Sequence, residues 1–130
     1  MNILKIALIS VILIVHLLIV NMVVAQDSYP CVLHTDYRAY ADCLVERKWE
    51  GQLWVHNELI MRESRWNYNA QNPVSTAFGI YQFLDSTWQT VNCEKTIDPK
   101  EQVRCGLKYI EQRYGDPQKA LDFHDRNNWY

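Results

Sequence analysis

Hydrophobic positions recur at helical spacing along most of residues 35–130 and predict a chain built mainly of α-helices. Thr35 or Asp36 can cap a first helix, and Gly51 is placed to end it. The apolar stripe of this helix consists of Tyr37, Tyr40, Ala41 and Leu44. No segment alternates convincingly with the two-residue period of a strand, so we expect a mainly helical body.

The next stretch, QLWVHNELIMRES, has apolar side chains nearly all round a helix. That pattern is typical of a buried element, and it predicts a central helix. Residues 64–75 are rich in Asn, Gln and Ser and contain Pro73, which predicts an extended loop.

Four further patterns, all after residue 75, complete the helical prediction. The stretch TAFGIYQFL is interpreted as a short helix that contains Gly79, and Asp85 or Ser86 can cap another. Asp98 followed by Pro99 predicts the start of a long helix that ends before Gly115. Asp116 and Pro117 repeat this start signal for a last helix.

An apolar segment over residues 6–25 precedes this body, with Lys5 as the single charge before it. Val23, Val24 and Ala25 suit cleavage of a signal peptide, whereas the length of about 20 residues also suits an uncleaved membrane anchor. Both interpretations place residues 26–130 outside the cytoplasm, in the periplasm, the cell envelope or the medium. We therefore expect two parts, a targeting segment over 1–25 and one domain over 26–130, with membrane contact only through the segment.

Charge and cysteine content narrow the classes of function. Residues 26–130 carry all 15 acidic residues and 12 of the 13 basic ones, a net charge of −3, which argues against a nucleic-acid partner. The four cysteines lie in the exported part, where disulfides form. Three pairings are possible, and we favour the local ones, Cys31 with Cys43 and Cys93 with Cys105. The histidines and cysteines lack metal-ligand spacing, so we expect no metal.

Glu63 is the first candidate for chemistry. At 100° per residue it lies between Leu59 and Ile60 on the predicted helix, where the polar loop begins. Partial desolvation there would raise its pKa, as a proton donor near neutral pH requires. On position alone we favour a surface glutamate balanced by Arg62 or Arg65, since most glutamates are solvated.

From Glu63 to Phe83 the chain reads ESRWNYNAQNPVSTAFGIYQF, and Thr87 and Trp88 follow. This order closely resembles the motif of the soluble lytic transglycosylase (SLT) domain and its goose-type lysozyme relatives. The matching positions are Glu63, Ser64, Asn72, Pro73, Ser75, Ala77, Gly79, Ile80, Gln82, Phe83, Thr87 and Trp88. A looser resemblance to small secreted or phage-associated members extends to Tyr130.

The resemblance implies a small, mainly α, lysozyme-like fold and a peptidoglycan-cleaving enzyme. Glu63 would protonate the β-1,4 glycosidic oxygen between N-acetylmuramic acid and N-acetylglucosamine and then act as base. The expected substrate-binding residues are Ser64, Ser75, Gly79, Tyr81 and Gln82, with Tyr81 the first choice among the aromatic residues that stack on a sugar. We expect a monomer that binds glycan strands and needs no cofactor.

No other Asp or Glu lies between Glu63 and Asp85. Ordinary glycosidases use two carboxylates, so this absence favours a transglycosylase, in which the muramic acid 6-hydroxyl attacks and leaves a 1,6-anhydro end. Asp85, Glu94 or Asp98 could still supply a second carboxylate by folding back.

One departure from the family pattern concerns the last helix. Many members carry a Tyr-Asn pair near the acid, whereas this chain has Phe123 and His124. Another Tyr would then have to position Glu63, or Glu63 is held less well; His124 is either a polar substitute for the Asn or a surface residue. The alternative to an enzyme is a silent peptidoglycan-binding module of a secretion, pilus or virion machine.

Overall fold

The computed structural model describes residues 8–16 and 31–130. Its chain falls into two units, residues 1–33 and residues 34–130. In the first unit residues 8–16 are helical, and the rest of the apolar segment 6–25 lies outside the described residues. Among the helices described, none has the combination of length and apolar composition that a membrane crossing demands.

The second unit contains five α-helices and no β-strand among its described residues, which confirms the mainly α prediction. In chain order they are α1 (Tyr37–Lys48), α2 (Leu53–Glu63), α3 (Asp85–Thr90), α4 (Pro99–Arg113) and α5 (Pro117–Asn127). Helix α2 packs mainly against α5 and also against α1, while α4 packs against α1 and α5. Each of these four helices therefore packs against two others, and the most extensive pair is α2 with α5.

Three aspartates begin helices as the sequence predicts. Asp36 accepts hydrogen bonds from the first backbone amides of α1, and Asp98 does the same for α4. Asp116 accepts from the Lys119 amide at the start of α5. These side chains satisfy amide groups that have no partner within the helix, which fixes where each helix begins.

The prediction that α2 is apolar and buried on nearly all sides is wrong for one face. Val55, Leu59 and Ile60 are buried, but Trp54 is 70% exposed and Met61 is 42% exposed. A domain of this size has few elements to cover a helix, so one apolar strip of α2 remains in contact with solvent.

The prediction of a short helix around Gly79 is also wrong. Phe78 and Phe83 pair through two backbone hydrogen bonds of 3.1 Å each, which closes a tight turn between them. Gly79 has φ +81° and Gln82 has φ +50°. Both values lie in the left-handed region, which a right-handed helix excludes.

Disulfides and aromatic side chains stabilise the small core. Cys93 and Cys105 are bonded to each other, which confirms one of the two local pairings, and Cys31 and Cys43 are also disulfide-bonded. Phe83 contacts Trp88 and Tyr109 through ring edges at centroid distances of 5.3 Å and 5.0 Å. The Phe78–Phe83 turn is thereby anchored to α3 and α4.

Candidate active site

A cavity of about 700 Å³ opens beside the end of α2. Its walls come from that helix end, the turn residues, α3, the last turns of α4 and the segment that follows α5. The lining residues used below are Glu63, Gln82, Tyr109, Arg113, Trp129 and Tyr130. The volume suits a ligand of several sugar rings better than a single small ion.

Glu63 is the last residue of α2, and 16% of its side chain is exposed. Burial raises the pKa of Glu63 to about 7 because desolvation disfavours the charged carboxylate. The carbonyl end of α2 carries partial negative charge, which acts in the same direction. Near neutral pH a large fraction of this carboxyl therefore remains protonated, and the residue lines the cavity.

His124 of α5 contacts this carboxyl, with its Nε2 atom 3.1 Å from Glu63 Oε1. Desolvation lowers the pKa of His124; the nearby Arg62 charge also lowers it, and Asp125 opposes both. Burial thus favours the neutral form of both groups in this contact, since it raises the pKa of the acid and lowers that of the imidazole. The sequence left two interpretations of His124 open, a polar substitute for the Asn and a surface residue. The mostly buried contact with Glu63 favours the polar substitute.

Tyr130 lines the cavity together with the acid. Burial and then the Glu63 charge raise the pKa of Tyr130. Its hydroxyl donates to the Tyr81 carbonyl oxygen at 3.2 Å, while Phe123 packs against Trp129 at a centroid distance of 4.9 Å. The direct contact to Glu63 comes from His124, and Tyr130 lines the same cavity.

Glu63 is the single carboxylate among the described residues that line the cavity. The three acidic residues that could have folded back are all occupied elsewhere or exposed. Asp85 pairs with Lys95 at 2.9 Å, Asp98 caps α4, and Glu94 is exposed outside the lining. Among the described residues, none of these three therefore supplies a second carboxylate to the cavity.

Ser64 and Gly79 shape the loop beside the acid. The Ser64 hydroxyl donates to the Ile80 carbonyl oxygen at 2.7 Å, which ties the end of α2 to the turn. A Cβ atom at Gly79 would lie 2.5 Å from Gln102 Oε1, so the glycine makes room for a glutamine side chain. Neither residue lines the cavity, although both were expected to bind substrate.

Gln102 of α4 was missed by the sequence reasoning. Its buried side chain accepts from the Ile80 amide at 2.8 Å and donates to the carbonyl oxygens of Tyr68 and Thr96 at 2.9 Å and 2.8 Å. One glutamine therefore joins three segments around the site. The available signal was its position one and two turns before Gly106 and Tyr109, on the buried face of the helix.

The remaining expected binding residues differ in their access to the cavity. Tyr81 is one of the lining residues, but it is only 3% exposed and its hydroxyl lies 2.9 Å from His56 Nε2, so most of its ring lies in the core. Gln82 lines the cavity, with its amide nitrogen donating to the Ala70 and Gly79 carbonyl oxygens. Ser75 is exposed outside the lining, where its hydroxyl accepts from the Ala77 amide.

Trp129 offers the open aromatic surface that Tyr81 does not. It lines the cavity and is 51% exposed, whereas Trp88 is buried below the turn. An indole ring that is half exposed at a cavity wall can stack on the apolar face of a sugar.

Comparison with known proteins identifies one match. The family model described as the transglycosylase SLT domain matches residues 46–128, which is more than half of the chain. No match was found among curated proteins or among solved structures. The matched region contains Glu63, the turn and His124.

Proposed function

The chain belongs to the transglycosylase SLT family, whose members act on peptidoglycan, and from that premise we propose that it is a lytic transglycosylase with Glu63 as its catalytic carboxylate. One observation carries the proposal. Glu63 is a largely buried acid with a pKa raised to about 7, at the wall of a cavity lined by no other carboxylate among the described residues.

In the first step Glu63 gives its proton to the glycosidic oxygen between N-acetylmuramic acid and N-acetylglucosamine. The bond from the anomeric carbon to that oxygen breaks, and the N-acetylglucosamine part leaves as an alcohol. The substrate's own N-acetyl group assists departure from the opposite side. A carboxyl that is still protonated near neutral pH is the form that this step needs.

In the second step the 6-hydroxyl of the same muramic acid attacks the anomeric carbon. Its proton passes to the Glu63 carboxylate, and the product is a 1,6-anhydro ring with the acid restored to its starting form. One carboxyl serves both proton transfers, so a second one is not required. A two-carboxylate hydrolase would instead need a partner acid to activate water or to form a covalent intermediate.

His124 positions the carboxyl for both steps. Its hydrogen bond to Oε1 restricts rotation of the Glu63 side chain and leaves Oε2 for the substrate. Desolvation lowers the pKa of His124 and favours its neutral form, which orients the acid without stabilising the ionised carboxylate as a cation would. In this proposal His124 takes over the positioning of the acid from the Tyr-Asn pair that many members of the family carry.

Substrate contacts divide into direct and indirect ones. Gln82 and Trp129 contact the glycan from the cavity wall. Ser64, Gly79 and Tyr81 hold the turn and the core behind it, and Ser75 stabilises the adjoining loop. Peptidoglycan lies outside the cytoplasm, so we also propose that residues 1–25 export the domain, as a signal peptide or as an anchor.

Cleavage of purified peptidoglycan by the wild-type chain and by Glu63→Gln tests the proposal. Wild type should clear a peptidoglycan-containing gel, Glu63→Gln should not, and Glu50→Gln, which changes an exposed carboxylate outside the cavity, should clear it normally. Mass spectrometry should find products lighter by one water than those of a hydrolytic lysozyme. Equal clearing by wild type and Glu63→Gln, or none by either, would overturn the enzyme and favour a silent binding module.

A further inference from the structure

Arg113 brings a positive charge to the cavity that the reaction does not use. It lies in the last turn of α4, is exposed, and lines the cavity together with Tyr109 and Trp129. Neither proton transfer by Glu63 needs a cation at this wall. The residue therefore requires a separate explanation.

The guanidinium group of Arg113 is held in a defined place by aromatic side chains. Its central carbon lies 5.0 Å from the ring centroid of Trp129, and between 5.4 Å and 5.6 Å from the ring centroids of Tyr109, Tyr114 and Phe123. One of its nitrogens donates to the Tyr109 hydroxyl at 2.5 Å. Rings attract the cation without neutralising it, so the group keeps both its charge and free donors.

No acidic side chain of the described residues neutralises this charge. Arg62 pairs with Glu58 and Asp125, and Arg104 pairs with Glu101, but none of the ion pairs in the described chain includes Arg113. Glu63 is the one carboxylate of the lining, and burial raises its pKa to about 7, which disfavours a negative charge there. An immobilised guanidinium at a cavity wall is well suited to bind a carboxylate through two parallel hydrogen bonds.

We propose that Arg113 forms a subsite for a carboxylate group of the substrate, with the Trp129 ring as the apolar surface beside it. The inference rests on the proposed function, because it places a glycan strand in the same cavity. Peptidoglycan offers two carboxylate sources. The peptides attached to muramic acid carry free carboxylates, and the lactyl group of muramic acid carries one where its peptide has been removed.

Binding measurements in the Glu63→Gln background test the subsite without any cleavage. The three probes are a glycan strand that keeps its peptides, the same strand stripped by an amidase so that the lactyl carboxylate is free, and a chitin hexasaccharide, which has no carboxylate. Arg113→Gln removes the cation, Arg113→Lys keeps the charge without the planar fork, and Arg126→Gln removes an exposed cation outside the cavity. All variants are made in the whole chain.

We expect Arg113→Gln to weaken binding of a carboxylate-bearing strand by about tenfold, as for loss of one charged hydrogen-bonded pair. Binding of chitin hexasaccharide should be unchanged, which also shows that the cavity is still folded. Arg113→Lys should lose less affinity for these strands, and Arg126→Gln should lose none. Added salt should weaken binding of the carboxylate-bearing strands only. A loss confined to the peptide-bearing strand identifies the peptide carboxylate, and one confined to the stripped strand identifies the lactyl group.

Three results would overturn the subsite. They are an equal loss for the chitin hexasaccharide, no loss for any strand, and no binding of any of the three probes. Cleavage by the wild-type chain is scored separately in the gel assay. An inactive chain that still binds carboxylates through Arg113 would refute the proposed enzyme alone, and an active chain indifferent to Arg113 would refute the subsite alone.

Discussion

His124 Nε2 lies 3.1 Å from Glu63 Oε1, and both side chains are mostly covered by the protein. The contact joins the end of α2 to the last turn of α5. It supplies the acid with a partner from the helix in which relatives place a different pair of residues. In the proposed mechanism, helix α5 thus contributes to positioning the acid as well as to the packing.

Removal of this partner should weaken catalysis and change its pH dependence. We expect His124→Ala to lower kcat on the order of tenfold to a hundredfold, because the carboxyl loses its fixed orientation. Water that enters the space should solvate the carboxylate and lower the pKa of Glu63, so the alkaline decline should move to lower pH. Steady-state rates measured against pH give both quantities.

The matched variant for that experiment is His124→Asn, which retains a hydrogen-bonding side chain at the same place. It should recover part of the lost kcat while His124→Ala does not. If both variants kept the wild-type rate and pH profile, the contact would have a structural role only.

The activity of the wild-type chain should decline above neutral pH. Burial raises the pKa of Glu63 to about 7, and the acid must hold its proton for the first step. We expect kcat/KM to fall about tenfold per pH unit once the pH exceeds roughly 7.5. Initial rates at constant ionic strength give the profile, and Glu63→Gln binding over the same range separates chemistry from substrate affinity. A flat profile to about pH 9 would contradict the role of Glu63.

The same raised pKa predicts that Glu63 destabilises the fold in alkaline solution. The folded state holds this proton up to about pH 7, whereas the reference pKa for the unfolded chain is 4.5. The contribution of Glu63 to the free energy of unfolding is therefore most favourable below pH 4.5, the pKa of the unfolded chain. It is lost as the pH rises through about 7, the pKa in the folded state. The difference in the free energy of unfolding between Glu63→Gln and wild type should therefore shift in favour of Glu63→Gln, by on the order of 1–3 kcal/mol from acid to alkaline conditions.

Thermal unfolding of both proteins at a series of pH values measures this difference. Glu50→Gln is the matched control, since its carboxylate is exposed, and its difference from wild type should stay constant. A constant difference for Glu63→Gln as well would show that its carboxyl is not desolvated in solution.

Gly79 should be far less tolerant of a side chain than Gly51, although both have left-handed φ angles of +81° and +78°. An added Cβ at Gly51 meets no atom within 4 Å, so Gly51→Ala should cost only about 1 kcal/mol of backbone strain. At Gly79 the same atom collides with the buried Gln102 side chain, so Gly79→Ala should cost about 3 kcal/mol or more.

A double-mutant cycle with Gln102→Ala identifies the cause. Gln102→Ala alone leaves buried backbone groups unpaired and is destabilising. Gly79→Ala should cost less in that background, because the clashing atoms are gone. Denaturant unfolding measures each corner of the cycle, and strictly additive costs would contradict the contact.

Local chemistry in the sequence was enough to place most helices. Asp36, Asp98 and Asp116 begin α1, α4 and α5 because capping requires only a side-chain oxygen next to the free amides of the same segment. The motif around Glu63 likewise identified the family, since its residues lie close together along the chain, and it made Glu63 the candidate acid.

The sequence alone misjudged features that depend on what packs against a residue. The Phe78–Phe83 segment has the composition of a short helix, but Gln102 and the aromatic core hold it as a turn. The Tyr81 ring lies in the core against His56, so it cannot serve as the open stacking surface expected of it. Periodicity reports which side of a helix is apolar and says nothing about whether another element covers it, as Trp54 of α2 demonstrates.

What the sequence determined by itself is therefore the helical architecture and the family, with Glu63 as the candidate acid, because each depends on neighbours in the chain. Only the tertiary structure decided that His124 contacts Glu63, that Gln102 supports the turn, and that Arg113 faces the same cavity. These relationships join residues that are distant in sequence, and packing of the helices brings them together. No local pattern of residues encodes such distances.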